Sequence, residues 1–277
     1  MSRPARALPY DAPGAVPPAE KYDIPLVRAG ECHVWIAQAV SVPALLDLLD
    51  EGERARHDGF LRDGPRALYL TAHALLRRLV AAQLGSDPRE VRFTHVCKHC
   101  DDPRPHGKPG LAGADLEFSL SHSGDRVAVA LSLAGPVGVD VERVADYPDL
   151  PLAVLGPSER GELDRVPASG RAAAFTRYWA RKEAVLKATG DGLMTDPALL
   201  TVSPPGAPAA LLAWPGRAEP HLPVRLCDLD VPDGSGPDGG TGAGDGYRAA
   251  VAVLGTGCAP VAHAVAHSGD GALRRPR

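Results

Sequence analysis

The sequence predicts an α+β fold of two pseudo-symmetric halves, each a long helix packed on antiparallel strands. Three observations carry this. A helical pattern over residues 65–84 is followed by alternating segments, and a second helical pattern over 169–190 is followed by more. Between the helices, three short alternating runs over 116–144 are joined by tight-turn residues, which suits an antiparallel meander. No residue-level repeat relates the two halves.

The elements follow in order. Residues 1–28 hold six prolines among small residues and predict a loose leader. The N-terminal half then spans 29–133. It opens with a strand over 32–40, whose Val34, Ile36 and Gln38 alternate with His33, Trp35, Ala37 and Ala39. Short helical pieces over 43–49 and 51–61 precede the long helix, whose Leu68, Leu75, Leu76, Leu79 and Val80 form a core stripe ended by Gly85. A strand over 91–96 leads into a basic loop over 97–113, and strands over 116–121 and 126–133 flank the turn His122-Ser123-Gly124-Asp125.

The C-terminal half spans 134–267. It begins with a strand over 137–144, passes a short helical piece over 158–165, and continues into the second long helix. That helix has Ser169 as its expected N-cap and Gly190 at the position of a left-handed C-terminal cap. Strands are expected over 199–202, 224–229, 247–254 and 262–266, with a Gly- and Asp-rich disordered insertion over 233–246 and a flexible tail over 268–277.

Composition narrows the function classes. A net charge of −4 gives no global reason to expect nucleic acid or an anionic membrane as partner, so any anion site must be local. No stretch approaches the roughly 18 apolar residues of a membrane span. Five cysteines, an odd number, and an N-terminus lacking an apolar signal run point to a cytoplasmic protein with reduced thiols. Cys97-Lys98-His99-Cys100 has the spacing of half a zinc knuckle, with His95 and His106 as further donors, but no second Cys-x-x-Cys follows, so an ordinary loop with reduced thiols is the expected reading.

Two segments carry chemistry. In the strand over 137–144, Val137, Val139 and Val141 take the core side, so Asp140 and Glu142 project together from the other face, about 7 Å apart along the strand. Like charges held that close favour a bound cation or a raised pKa, and all-oxygen donors favour Mg²⁺ over zinc; alone, Asp-x-Glu also fits a solvated strand face. In the second long helix, Phe175, Tyr178, Trp179, Val185, Leu186 and Thr189 form an apolar stripe with Lys182 inside it, and Glu183 and Lys187 stand one turn apart beside it. A lysine in such a stripe needs an anion or must snorkel; a plain surface ion pair would account for the other two.

Gly138-Val139-Asp140-Val141-Glu142, followed by Trp179-Ala180-Arg181-Lys182-Glu183-Ala184-Val185-Leu186-Lys187-Ala188-Thr189-Gly190, closely resembles the paired signatures of 4'-phosphopantetheinyl transferases. Upstream, Gly107-Lys108-Pro109 and Ser119-Leu120-Ser121-His122-Ser123 resemble that family's coenzyme-binding segments in the family's order. Length and layout resemble the larger, single-chain surfactin-synthetase-activating (Sfp) type. The resemblance implies transfer of the phosphopantetheine arm of coenzyme A to a serine of an apo acyl or peptidyl carrier protein, releasing adenosine 3',5'-bisphosphate, by a monomer with its site in a cleft between the halves.

It further implies Mg²⁺ held by Asp140, Glu142 and Glu183, with Glu183 accepting the serine proton directly or through a metal-bound water and Lys187 stabilising the leaving bisphosphate. Lys108, His122 and Lys182 would contact phosphates of coenzyme A beside Pro109, and Ser121 would donate a hydrogen bond there. Arg56 is carried over as a 3'-phosphate contact, although a solvated basic helix face explains it as well, and His73 stands where the family pattern has arginine. Trp179 is expected to pack and orient the helix. Two rivals are a protein that binds coenzyme A and a carrier without transfer, and a metal phosphohydrolase using the same carboxylates. Fatty acid, polyketide and nonribosomal peptide carriers are all compatible substrates.

Overall fold

The computed structural model describes residues 24–96, 107–145, 149–216, 223–232, 246–255, 259–267 and 273–274. The cysteine pair at 97 and 100, most of the expected leader, and nearly all of the expected insertion and tail lie outside these residues. The inner end of the expected leader is part of the fold: Ile24 and Val27 are buried, and the Val27 backbone exchanges two hydrogen bonds with the Gln83 side chain. Their apolar side chains have core to cover, which a proline count cannot reveal.

Alternating side chains build two sheets that face each other. The larger contains β1 (Cys32–Gln38), β4 (Glu117–Ser123), β5 (Arg126–Ser132), β11 (Val261–His267) and β12 (Leu273–Arg274), in the order β12-β11-β1-β5-β4. The smaller has the order β6-β10-β9, from β6 (Val137–Arg143), β9 (Val224–Leu229) and β10 (Tyr247–Leu254). Two-stranded pairs join β2 (Phe93–Val96) to β3 (Lys108–Leu111) and β7 (Thr201–Val202) to β8 (Leu211–Ala213). Four α-helices are described, α1 (Glu51–Asp58), α2 (Asp63–Leu84), α3 (Pro157–Asp164) and α4 (Ala168–Thr189), and the short piece expected over 43–49 is a 3₁₀ helix, Pro43–Leu48.

The period-two pattern explains the layering. Trp35 of β1 and Val127, Val129 and Leu131 of β5 pack on Leu75, Leu76, Leu79 and Val80 of α2. Val34, Ile36, Ala128 and Ala130, on the opposite face of the same strands, pack on Val137, Val139, Val141, Val251 and Val253 of the smaller sheet. Ala250, Ala252 and Leu254 then face α4. The layers therefore run α2, larger sheet, smaller sheet, α4, and the central strands are apolar on both faces because both are covered.

Several expectations change in detail. The strand near 262–266 runs parallel to β1, so it joins the larger sheet and crosses the division drawn between 133 and 134. The two sheets have five and three strands. The N-cap expected at Ser169 lies two residues earlier, at Pro167, while Gly190 ends the helix at φ 76° as predicted. From Ala180 to Leu186 that helix is buried without interruption, so it is a central helix and not one with a single apolar stripe. No helix among the described residues is long and apolar enough to cross a membrane.

Candidate active site

The site forms where the edge strands β4 and β6 meet and α4 crosses them. Gly138 makes this crossing possible: a Cβ there would lie 2.0 Å from Ala184 O and 2.3 Å from Ala188 N of α4. With only hydrogen at that point, the strand lies directly against the helix backbone, two residues before Asp140. The valines of β6 face the other sheet, so Asp140 and Glu142 face α4, as alternation predicts.

One turn of α4 brings Glu183 and Lys187 to the same place. Lys187 Nζ donates to Asp140 Oδ1 at 2.6 Å and to Ser121 Oγ at 2.9 Å, and Ser121 Oγ donates to the same Asp140 oxygen at 2.8 Å. Glu142 Oε2 accepts from Ser123 Oγ at 2.6 Å, and Trp179 Nε1 donates weakly to Oε1 at 3.4 Å. Ser121, Asp140, Glu142, Trp179, Glu183 and Lys187, with Leu120 and the exposed His122, line a cavity of about 360 Å³.

Two buried carboxylate oxygens in this pocket, Asp140 Oδ2 and Glu183 Oε1, have no hydrogen-bond partner. Asp140 is 2% exposed and Glu183 8%. Orphaned acceptors at that depth are costly unless a proton or a cation meets them. Burial pushes the Glu183 carboxyl up to about 7; Lys187 opposes the rise, and the charges of Asp140 and Glu142 add to it. Glu142 is also raised, by burial first and by Asp140 second, against the hydrogen bonds from Ser123 and Trp179.

Among the described residues, no group of three or more His, Cys, Asp or Glu side chains is drawn close enough to hold a metal as it stands. The chemistry of the donors nonetheless fits a hard cation: three acidic side chains line one cavity, and two of them carry an unused buried oxygen.

The other expected residues fall at varied distances from this centre. Lys182 is corrected: it does not face the pocket and contacts no position open to a phosphate. It is 0% exposed, pairs with Glu159 Oε2 at 2.6 Å, and donates to Pro197 O at 2.9 Å and Leu200 O at 2.6 Å. Glu159 in turn accepts from the Gly156 and Val202 backbone N–H groups, so the stripe lysine found its anion on α3. Lys108 lies outside the cavity, bonded to Glu117 and to Ala188 O near the end of α4. Pro109 sits in β3 opposite His95. Arg56 is exposed on α1, 5.9 Å from the centre of the Tyr69 ring, against which His73 stacks. Trp179 packs partly, as expected, but also reaches Glu142.

Sequence reading missed Ser123, which it placed in a turn; β4 continues through it. The available signal was hydroxyls at Ser119, Ser121 and Ser123, alternate positions of one strand.

An α+β scaffold that brings three acids and a lysine to one cavity is a centre of the enzyme class more readily than a passive binding surface. Comparison with known proteins specifies which. Residues 136–251 match the model of the 4'-phosphopantetheinyl transferase superfamily. The chain is 31% identical over 241 residues to the 4'-phosphopantetheinyl transferase HetI of Nostoc sp., covering 83% of this chain and 90% of HetI. It is 43% identical over 88 residues to AcpT of Salmonella typhimurium, 30% of this chain and 46% of that protein. It is 42% identical over 121 residues to AcpT of Escherichia coli K12, 39% of this chain and 62% of that protein. The chain thus spans most of HetI and less than two thirds of the two AcpT proteins. It belongs to the 4'-phosphopantetheinyl transferase family and is an enzyme of that family.

Proposed function

We propose that the protein transfers the 4'-phosphopantetheine arm of coenzyme A to a serine hydroxyl of an apo acyl or peptidyl carrier protein, releasing adenosine 3',5'-bisphosphate. In this reading it is a cytoplasmic monomer of the Sfp type that requires Mg²⁺. The observation that carries the reading is Glu183: a buried carboxyl with a free oxygen, raised to about 7, on the same cavity as Lys187, Asp140 and Glu142. Family membership and the names of HetI and AcpT support the chemistry.

Asp140, Glu142 and Glu183 would hold the Mg²⁺, which when bound neutralises charge on a pyrophosphate. Without a cation, burial holds the Glu183 carboxyl near 7, and a bound Mg²⁺ would favour its charged form, the form that can take a proton from the incoming serine hydroxyl. Lys187 is held at the pocket by its ion pair with Asp140 and offers its ammonium group to the leaving phosphate oxygen. His122, exposed at the cavity's edge, is placed to meet a phosphate entering from solvent. The low dielectric around Glu183 strengthens each of these interactions.

The deciding experiment incubates the protein with coenzyme A, MgCl₂ and a panel of apo carriers, and weighs the carriers by mass spectrometry. A gain equal to one phosphopantetheine is expected. No gain on any acyl or peptidyl carrier rejects the proposal.

A further inference from the structure

We propose that Ser123 is a positioning residue for Glu142: it ties down Oε2, so that Oε1, which carries only the weak Trp179 contact, is turned toward the cation. The inference rests on the reading that Asp140, Glu142 and Glu183 hold Mg²⁺.

Alternation along β4 sends Ser119, Ser121 and Ser123 toward β6, and each hydroxyl meets a different group there. Ser119 Oγ accepts from the Val139 backbone N–H at 3.0 Å, a purely structural bond. Ser121 Oγ bonds to Asp140 and Lys187. Ser123 Oγ accepts from the Arg143 backbone N–H at 3.2 Å and donates to Glu142 Oε2 at 2.6 Å.

The pair of bonds at Ser123 gives the hydroxyl a fixed direction. With an N–H engaged on its lone pair, its own hydrogen points to the carboxylate, and a short O–H···O⁻ contact is the strong kind of hydrogen bond. Glu142 otherwise has only the 3.4 Å contact from Trp179 to restrain its rotatable side chain. One oxygen is tied to Ser123, so Oε1 is the oxygen presented to the cavity.

The backbone carrying Ser123 is itself held. Gly124, at φ 60°, follows it, and a Cβ there would lie 2.2 Å from Tyr247 Oη. Tyr247 Oη donates to Asp125 Oδ1 at 2.5 Å and accepts from Asp125 N at 3.0 Å, which clamps the β4–β5 turn to the smaller sheet. Ser123 therefore transmits a rigid position to Glu142, as outer hydrogen-bond partners of metal ligands do.

The test titrates the full chain with Mn²⁺ as probe and reads free Mn²⁺ by electron paramagnetic resonance. Ser123→Ala is expected to weaken Mn²⁺ binding by about 10- to 100-fold. In the transfer assay its half-saturating metal concentration should rise by the same factor, with kcat at saturating metal little changed. Ser123→Thr, which keeps the hydroxyl, should restore binding to within a few-fold of wild type. Ser119→Ala lies on the same seam and should lower the unfolding midpoint without changing Mn²⁺ affinity. If Ser123→Ala does not fold, Ser123→Cys, of similar size with a much weaker donor, has the same expectation.

Wild-type affinity in the Ser123 variant overturns the proposal, as does an equal loss in Ser119→Ala, which would mean general loosening of the seam. A wild-type protein that binds no Mn²⁺ overturns the cation reading and this inference together. Mn²⁺ binding to wild type that Ser123→Ala leaves unchanged overturns only the role of Ser123.

Discussion

Glu183→Gln should make the metal-free protein more stable above neutral pH while abolishing transfer. The folded protein raises the Glu183 pKa from 4.5 to about 7, so it holds this proton more tightly than the unfolded chain does. Protonated Glu183 therefore favours the fold. That stability is fully present below about pH 4.5, is lost as pH rises through about 7, and is absent at about pH 8. The full rise corresponds to about 3 kcal/mol, with the opposing charge of Lys187 already included. Glutamine has nearly the same shape and no charge, but its amide must occupy a place where Oε1 finds no partner, at a cost of about 1 kcal/mol. That cost is the same at every pH, so the variant is expected to be about 2 kcal/mol more stable than wild type at pH 8 and no more stable than wild type at pH 5. Urea unfolding of both proteins in chelator at the two pH values measures it. A variant equally or less stable at pH 8, or one that still modifies carriers at the wild-type rate, refutes the assignment of Glu183 as a buried carboxyl serving as base.

Two further substitutions test the architecture. Lys182→Met removes the partner of buried Glu159 and should cost about 3–5 kcal/mol in urea unfolding, with KM for coenzyme A unchanged in the folded enzyme; a raised KM at wild-type stability would return Lys182 to phosphate binding. Gly138→Ala forces a Cβ onto the α4 backbone and should cost at least about 1–3 kcal/mol, with a lowered thermal midpoint and weakened Mn²⁺ binding; a wild-type midpoint would show that β6 and α4 separate without penalty.

The layout was legible where it depends on local periodicity. Trp35 against Val34, and Val127 against Ala128, take opposite faces in the order that alternation requires, and Gly85 and Gly190 both end helices with positive φ. Strand pairing was not legible. Nothing local in 261–267 says that it lies parallel to β1, because the partner is more than 200 residues away and register is set by tertiary packing. Ser123 was misplaced for a related reason. Gly124 and Asp125 signalled a turn, yet the strand runs up to it, since Glu142 and the Arg143 backbone on another sheet complete the hydrogen bonds of Ser123.

By itself, the sequence determined that Asp140 and Glu142 share a strand face and that Glu183 and Lys187 share a helix face, since pleat and helical pitch are properties of the local backbone. Only the tertiary structure decided which lysine of α4 serves the pocket. Lys182 and Lys187 are five residues apart, hence about 140° apart around the axis, and look toward different neighbours. One meets Glu159 on α3 and is sealed in the core; the other meets Asp140 on β6 and stays beside the cavity. The helix pattern sets Lys182 inside the apolar stripe and Lys187 beside it, but which anion each one meets is decided by distant parts of the chain.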